Sequence, residues 1–176
     1  RKSFIWSEGF AEKTGLPENS VDWVFMGSSF HWADTLQALE EFHRILRPGG
    51  FFTAIWNPRN LASSPFHMGI ENKIKEMVPN LKRVSSGSRE NMRGMEEKLL
   101  STSFFDDLFI TEAPHEAVMI QERYMGAWRS VNDIQVQAGE ELFQKVLEMI
   151  EFEISGMDQI VVPYLSRAFT VRSTKR

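Results

Sequence analysis

Two ionisable residues sit where loops follow apolar runs, and each has a chemistry to offer. His31 lies in Ser28-Ser29-Phe30-His31-Trp32, directly after the run Val21 to Met26. Histidine is the side chain whose unperturbed pKa lies near neutrality, so His31 can take a proton from a hydroxyl or hydrogen-bond a substrate. A packed loop histidine is the plain structural reading of the same residue. Arg59 lies in Asn57-Pro58-Arg59, after the run Phe51 to Trp56. Its planar fork suits a substrate carboxylate, and a solvated surface arginine is the alternative. The four histidines (His31, His43, His67 and His115) show neither H-x-x-x-H nor H-E-x-x-H spacing, and the chain has no cysteine. The expectation is no metal, no disulfide and no thiol nucleophile.

The elements that position these residues follow from periodicity. Ser3 to Ser7 reads as a short strand, and Gly9 lets the chain turn out of it. Leu16-Pro17-Glu18-Asn19-Ser20 is turn chemistry. Val21 to Met26 is almost continuously apolar, as a strand buried on both faces of a parallel sheet would be. Asp34 and Gln37 form a helix-start pair, and Leu36, Leu39, Phe42, His43 and Leu46 recur at helical spacing. Glu40 and Arg44 make an i,i+4 pair. Arg47-Pro48-Gly49-Gly50 stops the helix, and Phe51 to Trp56 is the next buried strand. The unit is strand, helix, parallel strand, right-handed by the general rule. In open α/β sheets, ligands bind beyond the carboxyl ends of such strands, where His31 and Arg59 fall.

Further along, Ser63-Ser64-Pro65 opens a helix with Ile70, Ile74, Met77 and Val78 on one side. Ser85 to Ser88 reads as a flexible loop. A short helix falls near Met95 to Leu100, and Leu108 to Gln121 supplies strand residues broken near Pro114. Glu122 to Ser130 is a short helix carrying Tyr124 and Trp128, and Gly139 to Ile154 is a long amphipathic one. Tyr164 to Arg172, starting after Pro163, is the last strand.

A chain of 176 residues suits one domain. Its 42% hydrophobic and 25% charged residues are ordinary for a globular protein. A formal net charge of -4 argues against general nucleic-acid affinity. No apolar run approaches the ~20 residues of a membrane span. The absence of cysteine fits a reducing, cytoplasmic compartment.

Taken together, Gly9-Phe10-Ala11-Glu12, Leu16-Pro17, Ser20-Val21-Asp22, Phe30-His31-Trp32 and Arg44-Ile45-Leu46-Arg47-Pro48-Gly49-Gly50 resemble the second half of a class I S-adenosylmethionine-dependent methyltransferase, type 11. The similarity is to the small-molecule branch that includes ubiquinone/menaquinone-biosynthesis and trans-aconitate methyltransferases. It covers about the first third of the chain; the rest matches in outline. It implies a Rossmann-like α/β sheet with helices on both faces, and S-adenosylmethionine as cofactor. By the same resemblance, Phe10, Ala11 and Glu12 border the adenine, with Phe10 standing where an Asp is frequent; Glu12 reads equally as a solvated loop acid. Ser28, Ser29 and Phe30 flank the cofactor. His31 is the candidate base, and His31, Trp32, Trp56, Asn57, Arg59, Tyr124 and Trp128 face the methyl acceptor.

The family's Gly-rich turn after its first strand has no counterpart here, nor has the acidic residue after its second. There is no G-x-G, and the chain starts at Arg1. The expectation is an N-terminally incomplete methyltransferase domain over residues 1–176, with helical lid insertions at 60–93 and 122–155. An exposed strand edge is expected to pair with a second copy, possibly by exchange of Ser3 to Ser7. The expected reaction is methyl transfer to a small molecule, at a carboxylate or hydroxyl oxygen before nitrogen or carbon. The alternative is a non-catalytic dimerising or regulatory module with a vestigial pocket. Half of a nicotinamide oxidoreductase is disfavoured because G-x-G-x-x-G is missing.

Overall fold

The computed structural model describes residues 4–84 and 92–176. In chain order the elements are β1 (Val21–Gly27), α1 (Thr35–Ile45), β2 (Leu46–Trp56), α2 (Pro65–Met77), α3 (Met95–Leu99), β3 (Phe105–Met119), α4 (Gln121–Arg129), α5 (Asn132–Ala138), α6 (Glu140–Ile154) and β4 (Ile160–Ser173). Short 3-10 turns lie at Phe30–Trp32 and Leu61–Ser63. The strands form one mixed sheet in the order β1-β2-β4-β3. By its internal contacts the chain divides into two compact units. The first is Arg1–Asn57, Ser86–Glu112 and Ser166–Arg176; the second is Pro58–Ser85 and Ala113–Leu165. The stretches expected as insertions lie mostly in the second. The expected loop at Ser85 to Ser88 lies outside the described residues.

In the first unit β1, α1 and β2 form the expected parallel strand–helix–strand unit, with Val24 opposite Phe52. Asp34 caps α1 by accepting the Gln37 N–H at 3.0 Å, which satisfies one of the orphan donors of the first turn. Ala38, Leu39 and Phe42 of α1 are buried in one cluster with Phe52, Ala54 and Trp56, and Ile45 is buried as well. β2 and β4 are antiparallel, Phe52 opposite Val171 and Ala54 opposite Phe169.

Several expectations are corrected here. Phe4 to Gly9 form no strand, and Phe4, Ile5 and Trp6 are 86%, 91% and 93% exposed. A strand exists through its ladder, and no described strand pairs with this segment. β1 is not buried on both faces: it is an edge strand, and Trp23 and Phe25 on one face are exposed. Leu36 is exposed because it lies on the side of α1 away from Ala38, Phe42 and Ile45. Arg44 pairs with Glu41 at 2.7 Å, not with Glu40. Glu41 is the buried carboxylate of the two, and it also collects Thr14, so its position is the more strongly held.

The two prolines do not break their strands. β3 runs through Pro114, and as an edge strand it tolerates a missing donor. β4 starts at Ile160, and Pro163 joins it through its carbonyl, which accepts the Asn60 N–H at 2.8 Å.

The second unit has its own core. Ile70 and Ile74 of α2, Tyr124 and Trp128 of α4, Ile134 of α5, Val146 and Ile150 of α6, and Val162 of β4 are all buried in it. Ser64 caps α2, with Pro65 in its first turn. Gln121 closes the other end of α6 by donating to the carbonyls of Ile154 and Met157, at 3.1 and 2.7 Å. Helix α5 was not signalled by the sequence, since its seven residues carry a single buried apolar residue, Ile134.

Candidate functional site

A mainly apolar pocket of about 280 Å³ opens in the first unit, walled by Gly9, Phe10, Ala11, Leu16, Met26 and Phe42 among others. The loop that forms it is built tightly. Phe10 and Lys13 exchange backbone hydrogen bonds at 3.2 and 3.0 Å. A Cβ on Gly9 would stand 3.2 Å from the Thr14 carbonyl oxygen. Helix α1 then holds the loop at three points. Glu12 accepts the Asp34 N–H at 2.7 Å. Glu41 accepts both the N–H and the hydroxyl of Thr14, at 2.9 and 2.6 Å. Arg44 donates to the Leu16 carbonyl at 2.7 Å. Hydrogen bonds from Arg44, with those from Thr14, hold the Glu41 carboxyl at about 2, against the opposing effect of burial. The pocket loop is therefore tied to α1 at three points by hydrogen bonds that need no ligand.

Of the residues expected against adenine, the pocket brings Phe10 and Ala11 together. Glu12 spends one carboxylate oxygen on the helix start. The apolar wall fits one flat face of a heteroaromatic ring, the adenine end of the implied cofactor.

The polar loop after β1 lies in the same unit. Ser28 has a positive φ of 51° and donates its N–H to the Ile55 carbonyl at 2.8 Å. Phe30 turns inward and packs edge-on against Phe52, ring centroids 5.1 Å apart, so its side chain belongs to the core. His31 lies against Trp32 and Trp56, centroids 4.9 and 6.3 Å away. Burial, then the charge of Lys98, lowers its pKa, so it is neutral at physiological pH. His31 Nδ1 and Trp56 Nε1 are buried without a hydrogen-bond partner among the described residues. Trp56 is a core residue, Trp32 is 81% exposed, and Asn57 accepts the Ser166 hydroxyl at 3.0 Å.

In the second unit, Arg59 lies over the Trp128 ring, 4.7 Å from its centroid. Tyr124 stands edge-on to Trp128 at 6.2 Å and to His67 at 5.9 Å. His67 was read from the sequence only as a histidine without metal spacing. The signal that marks it is the Ser64-x-x-His67 helix start, which turns its ring inward: Nδ1 lies 2.8 Å from the Ser64 hydroxyl. Among the described residues no group of three or more His, Asp or Glu could hold a metal ion, and no helix is long and apolar enough to cross a membrane.

A parallel strand–helix–strand unit, an antiparallel strand beside it and a pocket at the loop before its first strand make an α/β arrangement with a cavity at one end of the unit. Residues 2–54 match the family described as a methyltransferase domain. The chain is 44% identical across 52 residues to an uncharacterised methyltransferase of Mycobacterium tuberculosis, covering 30% of this chain and 21% of that protein. It is 29% identical across 169 residues to an uncharacterised methyltransferase of Schizosaccharomyces pombe, covering 92% of this chain and 63% of that one. The chain thus spans less than two thirds of the length of these curated relatives. Among solved structures, one from Anaeromyxobacter dehalogenans assigned as a type II methyltransferase aligns with a TM-score of 0.57 at 18% identity, over 94% of this chain and 68% of that one. Another, from Anabaena variabilis and assigned as a methyltransferase from an antibiotic biosynthesis pathway, gives 0.50 at 17% identity, over 93% and 72%. At such identities the likeness is one of fold. Residues 2–54 are thus similar to a methyltransferase domain, and over most of its length the chain shares the fold of these two solved structures.

Proposed function

We propose that this chain serves the transfer of a methyl group from S-adenosylmethionine to a small molecule, at a carboxylate or hydroxyl oxygen. The observation that carries the reading is the braced apolar pocket at Gly9, Phe10 and Ala11, inside the segment that matches the methyltransferase family. When bound, the cofactor supplies an electrophilic methyl group on a sulfonium. Phe10 and Ala11 pack on the adenine, and the backbone of Ser28 to Phe30 flanks the cofactor. The protein's part is then positioning and exclusion of water, with little covalent work. A carboxylate acceptor needs no base. For a hydroxyl acceptor, neutral His31 is suited to accept the proton, because burial holds its pKa low. The cysteine-free composition supports a cytoplasmic setting.

Calorimetric titration of S-adenosylhomocysteine into the folded 176-residue chain tests this. Micromolar binding that is lost in Phe10→Ala and weakened in Ser29→Pro is the expected result. A folded chain that takes up no S-adenosylhomocysteine would overturn the assignment of a working cofactor pocket to these residues.

A second reading, a non-catalytic dimerising module, is favoured by one observation: the exposed Trp23 and Phe25 on edge strand β1. A second copy of the chain is the proposed partner. Light scattering of the wild type and of Phe25→Lys decides it, since a monomeric wild type removes the reading.

A further inference from the structure

The second unit holds a concentration of buried donors that its own fold does not use. His67, Tyr124 and Trp128 are each 2% exposed. His67 Nε2, the Tyr124 hydroxyl and Trp128 Nε1 have no hydrogen-bond partner among the described residues. The Trp128 N–H is close enough to favour the ionised Tyr124 hydroxyl, yet the two atoms stop short of hydrogen-bond geometry. Buried polar groups are almost always paired, and leaving one unpaired is costly. Three in one cluster of contacting rings mark a place made for something with acceptor atoms.

Arg59 ties the three together. Its guanidinium covers the Trp128 ring at 4.7 Å, and its charge acts on both His67 and Tyr124. The neighbouring acids are committed elsewhere. Arg83 binds Asp133 at 2.7 Å and Glu71 at 3.3 Å, and Asp133 also accepts the Val84 N–H at 2.7 Å. Neither carboxylate is ion-paired with Arg59. Arg59 is the partly exposed member, so the cluster is approached along it. A cation beside two or three unsatisfied N–H and O–H donors, over an aromatic floor, is the complement of a planar oxyanion.

We propose that Arg59, His67, Tyr124 and Trp128 form a binding site for a carboxylate-bearing small molecule. Arg59 supplies the charge, and the Tyr124 O–H, Trp128 N–H and His67 Nε2–H fill the lone pairs of its oxygens. Ser64 Oγ accepts the His67 backbone N–H, and with its hydroxyl donating to His67 Nδ1 the ring proton sits on Nε2, the tautomer this site requires. The site itself does not depend on methyl transfer. Joined to the function proposed above, and resting on it for that step, it names the acceptor class as a carboxylic acid rather than a neutral alcohol.

The test follows Trp fluorescence and heat as succinate and citrate are titrated into the intact chain, without cofactor. Inorganic phosphate and neutral succinamide are the comparison ligands. The expected result is saturable binding of the carboxylates with a change in Trp emission absent from Trp128→Phe. Phosphate should bind more weakly, and succinamide not at all. Arg59→Ala should abolish binding, and Tyr124→Phe, which keeps the ring, should weaken it about tenfold. Succinamide binding as well as succinate, or carboxylate binding unchanged in Arg59→Ala, would overturn the proposal. So would the absence of any carboxylate response in the wild type, a result that needs no variant to fold. Because S-adenosylhomocysteine is titrated separately, failure here and failure of the cofactor pocket give different patterns.

Discussion

Glu12 accepts the backbone N–H of Asp34, the residue that itself caps α1, at 2.7 Å. The acid that the family resemblance sets against adenine is thus a tether between the pocket loop and the helix behind it. Glu12→Ala should lower stability by about 1–2 kcal/mol, the worth of a hydrogen bond to a charged group. It should also weaken S-adenosylhomocysteine binding by loosening Phe10 and Ala11. Glu12→Gln keeps an acceptor oxygen and should lose less of both. Urea midpoints and calorimetry on the two variants check this; equal losses would mean that the charge, not the tether, is what the loop needs.

Glu41 carries the deeper anchor. Its carboxyl sits at about 2 against its ordinary 4.5, chiefly through hydrogen bonds from Arg44, aided by Thr14 and opposed by burial. A lowered carboxyl pKa stabilises the fold fully above pH 4.5, and that contribution drains away as pH falls toward 2. Arg44 is partly exposed, so the contribution is on the order of 2 kcal/mol rather than the full value of the shift. Glu41→Gln should be less stable than the wild type at neutral pH, and the gap should narrow below pH 4.5 and close only near about pH 2. Denaturant midpoints at both pH values measure it.

The histidines act in a higher window. His31, His43 and His67 all have pKa values lowered from 6.5, in each case by burial first. The unfolded chain therefore takes up protons before the folded one does. Their contribution to stability is complete above pH 6.5 and is lost as pH falls from there through their lowered values. Histidine Hε1 resonances followed by NMR should show these three midpoints below 6.5. A denaturation midpoint that stays flat from pH 7 to about pH 5 would contradict the linkage.

What the sequence could show was what is local. Asp34 and Gln37 mark the start of α1, Pro65 the start of α2, and the apolar stripe through Val146 and Ile150 the whole of α6, because each is written within a few residues. Partner choice was less legible. Glu40 and Glu41 are both plausible mates for Arg44 by spacing, and only the arrival of Thr14 from 27 positions away selects Glu41. The exposure of Trp23 and Phe25 depends on which strands lie beside β1, which no local pattern records. Pro114 and Pro163 read as breaks because a ladder's donors and acceptors cannot be told apart before pairing is known. His67 was passed over for the same reason: the ring of Tyr124 and the charge of Arg59 that it meets come from residues that are not its neighbours in sequence.

The first residues of β2, where the chain turns at Gly49 and its pairing with β1 is irregular, give the sharpest test of packing. A Cβ on Gly50 would lie 2.9 Å from the Asp22 carbonyl oxygen, 2.9 Å from Leu46 Cδ2 and 3.1 Å from the Arg47 carbonyl oxygen. Leu46 can swing aside, but the Asp22 carbonyl is main chain in β1, at an irregularity in its pairing with β2. Gly50→Ala must therefore push the two strands apart or strain the turn, at a cost of about 2 kcal/mol or more. Gly49 presents a different problem: its φ of +71° is left-handed, but the nearest obstacle is the movable Arg172 guanidinium at 3.3 Å. Gly49→Ala should cost about 1 kcal/mol, from backbone strain alone. Gly69, inside α2 with nothing within 4 Å, has room for a methyl group, and Gly69→Ala should stabilise by roughly 0.5–1 kcal/mol. The expected order of urea midpoints is Gly69→Ala, wild type, Gly49→Ala, Gly50→Ala. If Gly50→Ala matches Gly49→Ala, the close approach of β1 to this turn is not what makes glycine necessary there, and the left-handed conformation next to it accounts for both.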